Sequence, residues 1–316
     1  MIRSIIFPII FFPMVFSRTI FPYLLLLCLF LHSCITDNYD RCLGIRLALS
    51  YPSEGERCER IHIFVFDERG SLFSSYEKTG RQLAPGVTYL LQVPPGKYTV
   101  VAWGDVHGDY SFTRKDITRA STGQMIPGSE LERFRMLVAL DKDLNTLSRP
   151  LNPVFHTSEY NIDLKEGQTS EVSLEFVKNT NKIRVKTSGL PAGVSYHELD
   201  VGIRSSNWQY HFDNSVPQDA ADITYKPYEK KVDKEVSISD LSVLRLIDSG
   251  NPVFYIKDGD TGDILYQRNL ISLLMNLPYM DLDKEDYFEI ELDFEGPTIA
   301  IKINGWEIID NGQDIS

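Results

Sequence analysis

Short runs in which apolar and β-branched residues alternate with polar ones recur from Leu43 to Ile303, and turn residues break them every few positions. A period of two puts every second side chain on one face of a strand, so this pattern most narrows what the chain can fold into. Leu43-Gly-Ile45-Arg-Leu47-Ala-Leu49 alternates in this way, and Pro52-Ser-Glu-Gly55 ends the run. Ile61 to Phe66 is apolar almost throughout and predicts a buried strand that stops at the turn Asp67-Glu-Arg-Gly70. Thr88–Val93 leads into Pro94-Pro95-Gly96, where Pro presets φ and Gly accepts a positive one, predicting a type II turn. Lys97–Trp103 returns as the next strand.

The same style continues. Strand patterns cover Glu159–Leu164 and Glu171–Val177, with the turn Lys165-Glu-Gly167-Gln between them. After the polar stretch Lys178-Asn-Thr-Asn181 comes Lys182–Thr187, and then Val201–Arg204, Glu235–Ile238, Val253–Ile256, Tyr287–Phe294 and Ile299–Ile303. Two helical signals interrupt them. Ser129-Glu-Leu-Glu132 reads as a capping box for a short helix. Leu270, Leu273, Leu274 and Leu277 fall at helical spacing inside Leu265–Leu277. Many short strands, frequent turns and few helices predict an all-β protein built from β-sandwiches. The polar stretch after Val177 sets the expected boundary, giving domains at 42–178 and 179–316.

The first 33 residues read as an export signal. Arg18 precedes the apolar run Ile20–Leu31, which ends in Leu31-His32-Ser33-Cys34. Leu three places before a Cys, with a small residue just before it, is how a bacterial lipoprotein signal ends. The run is shorter than the roughly 20 apolar residues that a membrane span needs. Expected, then, are a signal at 1–33, cleavage before Cys34, acyl chains such as palmitate on Cys34, and a tether at 34–41. More than one acyl chain anchors stably where a single chain does not. A second apolar run, Ile5–Phe16, makes the signal long, so translation is expected to start at Met14.

Export bears on two further points. Removing residues 1–33 takes away Arg3 and Arg18 and no acid, so the formal charge of -12 becomes -14. That balance argues against nucleic-acid binding, which needs Lys/Arg excess. It also permits a disulfide between Cys42 and Cys58, which flank one predicted hairpin, and leaves open whether it forms.

Patterns that could carry chemistry are local. Gly104-Asp105-Val106-His107-Gly108-Asp109, after an apolar strand, looks like the opening motif of a metallophosphoesterase. The further ligands of a two-metal centre do not follow in strand context, and a hairpin loop accounts for the same residues. Asp258-Gly-Asp260-Thr-Gly-Asp263 superficially resembles a calcium loop but lacks its closing Glu. Histidines 62, 107, 156, 197 and 211 have no metal-ligand spacing, and no cofactor or metal is expected. Trp103, Trp208 and Trp306 could stack on sugars, although core packing is the commoner fate of such residues. A non-enzymatic protein is expected, with surface glycan binding as the alternative and a phosphoesterase as the remote one.

The order of features resembles the FimB-type fimbrial anchor lipoproteins of Bacteroidales type V pili. The matching pieces are Cys34 with Cys42 shortly after it, Ile63-Phe-Val-Phe-Asp67-Glu-Arg-Gly70, and Val93-Pro-Pro-Gly-Lys-Tyr-Thr-Val-Val-Ala-Trp-Gly-Asp105. Val177-Lys-Asn-Thr-Asn-Lys-Ile-Arg-Val185, Met280-Asp-Leu-Asp-Lys-Glu-Asp-Tyr287 and Ile301-Lys-Ile-Asn-Gly-Trp306 complete them. The resemblance implies two transthyretin-like β-sandwich domains on the outer membrane, with fimbrial structural subunits as partners. It also implies joining by strand exchange, for which the alternating Ile299, Ile301 and Ile303 have a suitable pattern. An ordinary last strand of the second domain has that pattern too.

Overall fold

The computed structural model describes residues 43–52, 55–83, 86–114, 130–142, 145–247, 251–296 and 298–308. Eleven strands precede Asn179: β1 (Gly44–Ser50), β2 (Arg60–Asp67), β3 (Leu72–Thr79), β4 (Thr88–Leu91), β5 (Gly96–Gly104), β6 (Tyr110–Arg114), β7 (Phe134–Val138), β8 (Thr146–Leu147), β9 (Phe155–Leu164), β10 (Thr169–Glu175) and β11 (Val177–Lys178). Eleven follow: β12 (Thr180–Ser188), β13 (Leu199–Ser205), β14 (Gln209–His211), β15 (Ile223–Tyr225), β16 (Glu229–Asp233), β17 (Val236–Leu244), β18 (Val253–Asp258), β19 (Ile264–Asn269), β20 (Tyr287–Asp293), β21 (Ala300–Ile303) and β22 (Trp306–Ile308). Among the described residues there is one α-helix, α1 (Leu270–Leu274). The protein is an all-β sandwich fold, and no helix among the described residues is long and apolar enough to cross a membrane.

The first sandwich packs the three-stranded sheet β10-β1-β4 on the five-stranded sheet β11-β9-β5-β2-β3. Ile45 and Leu47 from β1 meet Ile61, Ile63 and Val65 from β2, with Val100, Ile162 and Leu174 in the same core. The second sandwich packs the six-stranded sheet β16-β17-β12-β20-β21-β22 on β19-β18-β13-β15-β8. Ile183, Val185, Phe288 and Ile290 face Val201, Ile203, Phe254 and Ile256 there.

The continuous apolar run at Ile61–Phe66 has a simple cause. Its odd-numbered residues enter the first core, while Phe64 and Phe66 turn into the second, so both faces of β2 are buried. Phe212, from the second half, inserts among these aromatics. Its ring centroid lies 5.0 Å from Phe64, 5.2 Å from Phe134 and 5.5 Å from Phe112. The fifth sheet, β14-β7-β6, pairs strands from both halves, and β8 joins β15 in the same manner. The strand sets thus change at Lys178/Asn179, while two sheets and the larger core are shared across it. The described residues from Leu43 onward form one compact unit.

Three local expectations are corrected. The helix predicted across Leu265–Leu277 is five residues long, because 264–269 is claimed by pairing with β18. The Asn269 side chain caps it by accepting the Ser272 N–H at 2.8 Å. The capping box ending at Glu132 yields only the three-residue 3-10 turn Leu131–Arg133, whose cap residue Glu130 makes no side-chain capping bond. Ser129 lies outside the described residues. Gly96 is absent from the left-handed conformation a type II turn requires; it pairs with Leu164 as the first residue of β5.

Candidate functional site

Asp105 tests the enzyme-like motif. It takes φ 59°, and its Oδ1 accepts the backbone N–H groups of Glu59 and Arg60 at 2.8 and 2.9 Å. Its own N–H donates to the Arg60 carbonyl at 2.8 Å. The carboxylate therefore stitches the end of β5 to the start of β2. Burial raises its pKa, which the two backbone bonds oppose. His107 Nε2 stands 3.9 Å from that oxygen and its side chain is 41% exposed. Gly104 is needed for space, since a Cβ there would sit 2.2 Å from Cys58 Sγ. The motif is a strand-end joint. No group of three or more His, Cys, Asp or Glu that could hold a metal occurs among the described residues.

The second decoy closes on itself. Asp258 is buried, and its carboxylate accepts from the Asp260 N–H at 3.0 Å and the Thr261 hydroxyl at 3.1 Å. Of the three tryptophans, Trp103 is fully buried and Trp208 is half-buried with its indole N–H donating to the Ala221 carbonyl at 2.9 Å. Trp306 is 66% exposed.

Cys34 and Cys42 lie outside the described residues. Cys58 is buried beside Tyr51, and desolvation pushes its thiol pKa well up. A thiol in that state is a poor nucleophile.

Ile301 and Ile303 belong to β21, fully paired with β20 on one side and with β22 on the other. Both are buried, and Ile299 packs partly buried against the same core. The hairpin β21–β22, turned by Asn304 (φ 49°) and Gly305 (φ 82°), forms one end of its sheet. At the opposite terminus β1 lies in the middle of its sheet. Ile45 to Ala48 pair with β10 in parallel and with β4 in antiparallel.

The polar stretch at the boundary is a buried joint that its composition did not disclose. Asn179 and Asn181 are 0% and 1% exposed. Asn179 Nδ2 donates to Asn214 Oδ1 at 2.5 Å and Asn214 Nδ2 returns a bond to Asn179 Oδ1 at 3.2 Å. Asn181 accepts the Leu246 N–H at 2.8 Å and donates to the Glu285 carbonyl at 3.1 Å. Lys178 Nζ bonds Glu56 at 2.7 Å and also Asp286, tying one sandwich to the other. The partners lie far away in sequence; the signal that could have found them was two amides in a stretch with too little Gly or Pro for a linker.

Comparison with known proteins places this geometry. The family model for fimbrillin-A associated anchor proteins Mfa1 and Mfa2 matches residues 39–312. The fimbrial anchor protein Mfa2 from Porphyromonas gingivalis is similar in structure, with TM-score 0.67 and 21% identity over 84% of this chain and 98% of that one. A Bacteroides thetaiotaomicron protein, provisionally named as polysaccharide binding, has TM-score 0.72 and 17% identity over 85% of this chain and 99% of its own. A provisionally named adhesin of the same organism has TM-score 0.68 and 22% identity over 84% and 97%. No curated protein matches the chain in sequence.

Proposed function

The chain belongs to the family of fimbrillin-A associated anchor proteins Mfa1 and Mfa2, and from that premise we propose that lipid on Cys34 holds it on the outer membrane while its last hairpin grips the adjacent fimbrial subunit by strand complementation. It is a pilus anchor or accessory subunit, and it associates with other fimbrial subunits. The mode of joining is our own reading. The observation that carries it is the contrast between the two terminal strands. β1 fills the middle of its sheet, so the first sandwich has no vacant slot between β10 and β4. The β21–β22 hairpin ends its sheet, so it can leave without splitting β16-β17-β12-β20. On this reading the chain donates a strand and accepts none, which suits a subunit at the end of a fibre. Main-chain hydrogen bonds supply affinity and alternate isoleucines fill the partner's groove. The domains proposed at 42–178 and 179–316 serve as modules joined by the β8–β15 and β7–β14 pairs and by the buried Asn179.

A reversible lock tests it. Glu291 and Lys302 face each other across β20 and β21. The pair Glu291→Cys and Lys302→Cys, oxidised, should prevent subunit joining, and reduction should restore it. Joining that is unchanged by the lock would rule out donation by β21.

Of the three tryptophans, Trp306 is the exposed one that could stack on a glycan. Saturable polysaccharide binding lost in Trp306→Ala would favour that second reading.

A further inference from the structure

The strands of the first sandwich sort its turns into two ends. At one end Leu43 leads into β1, where Gly44 stands opposite Thr169 and Ile45 opposite Leu91. Gly96 pairs with Leu164 and Asp67 with Tyr98 at that same end, so the segments 67–71, 92–97 and 165–168 emerge beside Leu43. At the other end Ser50 accepts the Phe176 N–H at 3.0 Å, and Gly104 pairs with Phe155 and Ile61. The junction with the second sandwich lies there, with Lys178 opposite Phe155.

Chain length limits which end can meet a bilayer. Eight residues, 35–42, separate Cys34 from Leu43. Even fully extended they reach only about 30 Å. β9 runs the length of the sandwich with ten residues, a span of about 33 Å. The junction end also carries the second sandwich, so a molecule held by lipid on Cys34 cannot stand on that end. Neither broad face suits a bilayer. One face of β2 and β5 is buried in the larger core through Phe64, Phe66, Val101 and Trp103. The opposite sheet exposes Glu171, Ser173 and Glu175 along β10.

The Leu43 end has a suitable surface. Pro94 and Pro95 are exposed at one tip, and Phe73 is 42% exposed, edge-on to Tyr98 at 5.8 Å. Arg69, Lys97 and Lys165 are exposed at the three tips, and none is ion-paired among the described residues. The acids there are Asp67, Glu68, Asp163 and Glu166, so this end is close to neutral in a chain of charge -14 from Cys34 onward. Asp67 Oδ1 is turned onto the Arg69 and Ser71 N–H groups at 2.9 and 3.0 Å. Apolar tips at headgroup depth, with Lys or Arg beside anionic lipid, hold a surface on a bilayer.

We propose that this end of the first sandwich rests on the headgroups of the membrane that holds Cys34, with Pro94, Pro95 and Phe73 at headgroup level and Arg69, Lys97 and Lys165 against phosphates. The second sandwich, with β21–β22, then points away from the bilayer. The inference rests on the lipid reading and deepens it.

The test uses the full lipidated chain in vesicles of phosphatidylethanolamine and phosphatidylglycerol doped with a nickel-chelating lipid. In a Cys42→Ser background a nitroxide is placed by Gln168→Cys at the Leu43 end, or by Thr79→Cys, opposite Arg60, at the junction end. Cys58 is buried and stays unlabelled. Nickel at the headgroups should speed spin relaxation at 168 and leave 79 unchanged. Equal effects at both sites, or an effect at 79 alone, overturn the inference while the lipid reading stands. Arg69→Glu, Lys97→Glu and Lys165→Glu together should weaken the effect at 168 and leave the protein in the vesicle pellet. These side chains are exposed, so the melting temperature should hold. Pro95→Asp, at an exposed tip, should act in the same direction. An undiminished effect at 168 in both variants shows that the tether alone sets the distance, and the contact fails. If the intact chain does not sediment with the vesicles, or Cys34→Ala sediments as fully, the lipid reading itself falls and the inference with it.

Discussion

His156 Nε2 lies 2.8 Å from the carbonyl oxygen of Phe212, and its ring meets Trp103 edge-on at 4.5 Å in the core shared by the two sandwiches. To donate to that carbonyl without placing a charge in the core, the imidazole must be neutral with its proton on Nε2. Burial is the main cause that pushes its pKa from 6.5 down to about 4; Arg245 adds to the shift, while the Phe212 carbonyl and Asp213 oppose it.

The first prediction follows from that depression. Above pH 6.5 neither the folded nor the unfolded imidazole is protonated, and the stability is fully present. As pH falls from 6.5 towards 4 the unfolded chain binds a proton that the folded chain resists, so stability is lost, on the order of 3 kcal/mol. Urea unfolding at pH 7 and pH 4.5 should show a larger loss for the unsubstituted protein than for His156→Gln. Equal losses would assign the acid sensitivity to other groups.

Gly104 and Cys58 should behave as a coupled pair. A methyl group at 104 would sit 2.2 Å from Sγ and 3.2 Å from Phe155 Cβ. Gly104→Ala is expected to cost about 1–3 kcal/mol through overpacking. Adding Cys58→Ala opens the space, and the double mutant should recover at least about 1 kcal/mol relative to additivity. Additive free energies in chemical denaturation would show that the two residues do not share that volume.

Asn181→Ala should destabilise more than a surface change. It strands the buried Leu246 N–H and removes the donor to the Glu285 carbonyl. A loss of about 2–4 kcal/mol is expected, since an unsatisfied buried group keeps its full desolvation penalty. Hydrogen exchange at the Leu246 amide should speed up more than at amides of β5, and uniform acceleration would contradict a local role.

Cys34→Ala should move the protein from the membrane pellet to the soluble fraction, and fibres should be shed with it. Full retention in the pellet would remove the lipid anchor from the account.

Parts of the fold were legible before any coordinates. The alternation at Leu43–Leu49 and Tyr287–Phe294 became β1 and β20, since a period of two survives in any half-buried strand. The turn at Lys165–Gln168 formed with Gly167 at φ 69°. Pairing was not legible. β1 lies parallel to β10, Gly44 against Thr169, and no local pattern encodes a partner so distant. The helix read from Leu270, Leu273, Leu274 and Leu277 formed over Leu270–Leu274, while Leu265–Asn269, within the same span, was taken into a strand by the ladder β18 supplies.

The candidate site divides in the same way. Asp105 and His107 have the residue types of a metal centre, and only the backbone N–H groups of Glu59 and Arg60 reveal the carboxylate as a joint. Ile299, Ile301 and Ile303 were visible as an alternating set, but their seat between β20 and β22 was not.

By itself the sequence determined the strand content and the resemblance to the fimbrial anchor family, because propensity, periodicity and ordered motifs are local properties. Only the tertiary structure decided what Lys178, Asn179 and Asn181 are for. They look like a solvated linker until Glu56, Asn214, Leu246, Glu285 and Asp286 converge on them. Whether a polar side chain can be buried depends on the partners folding brings to it, and those lie tens of residues away along the chain.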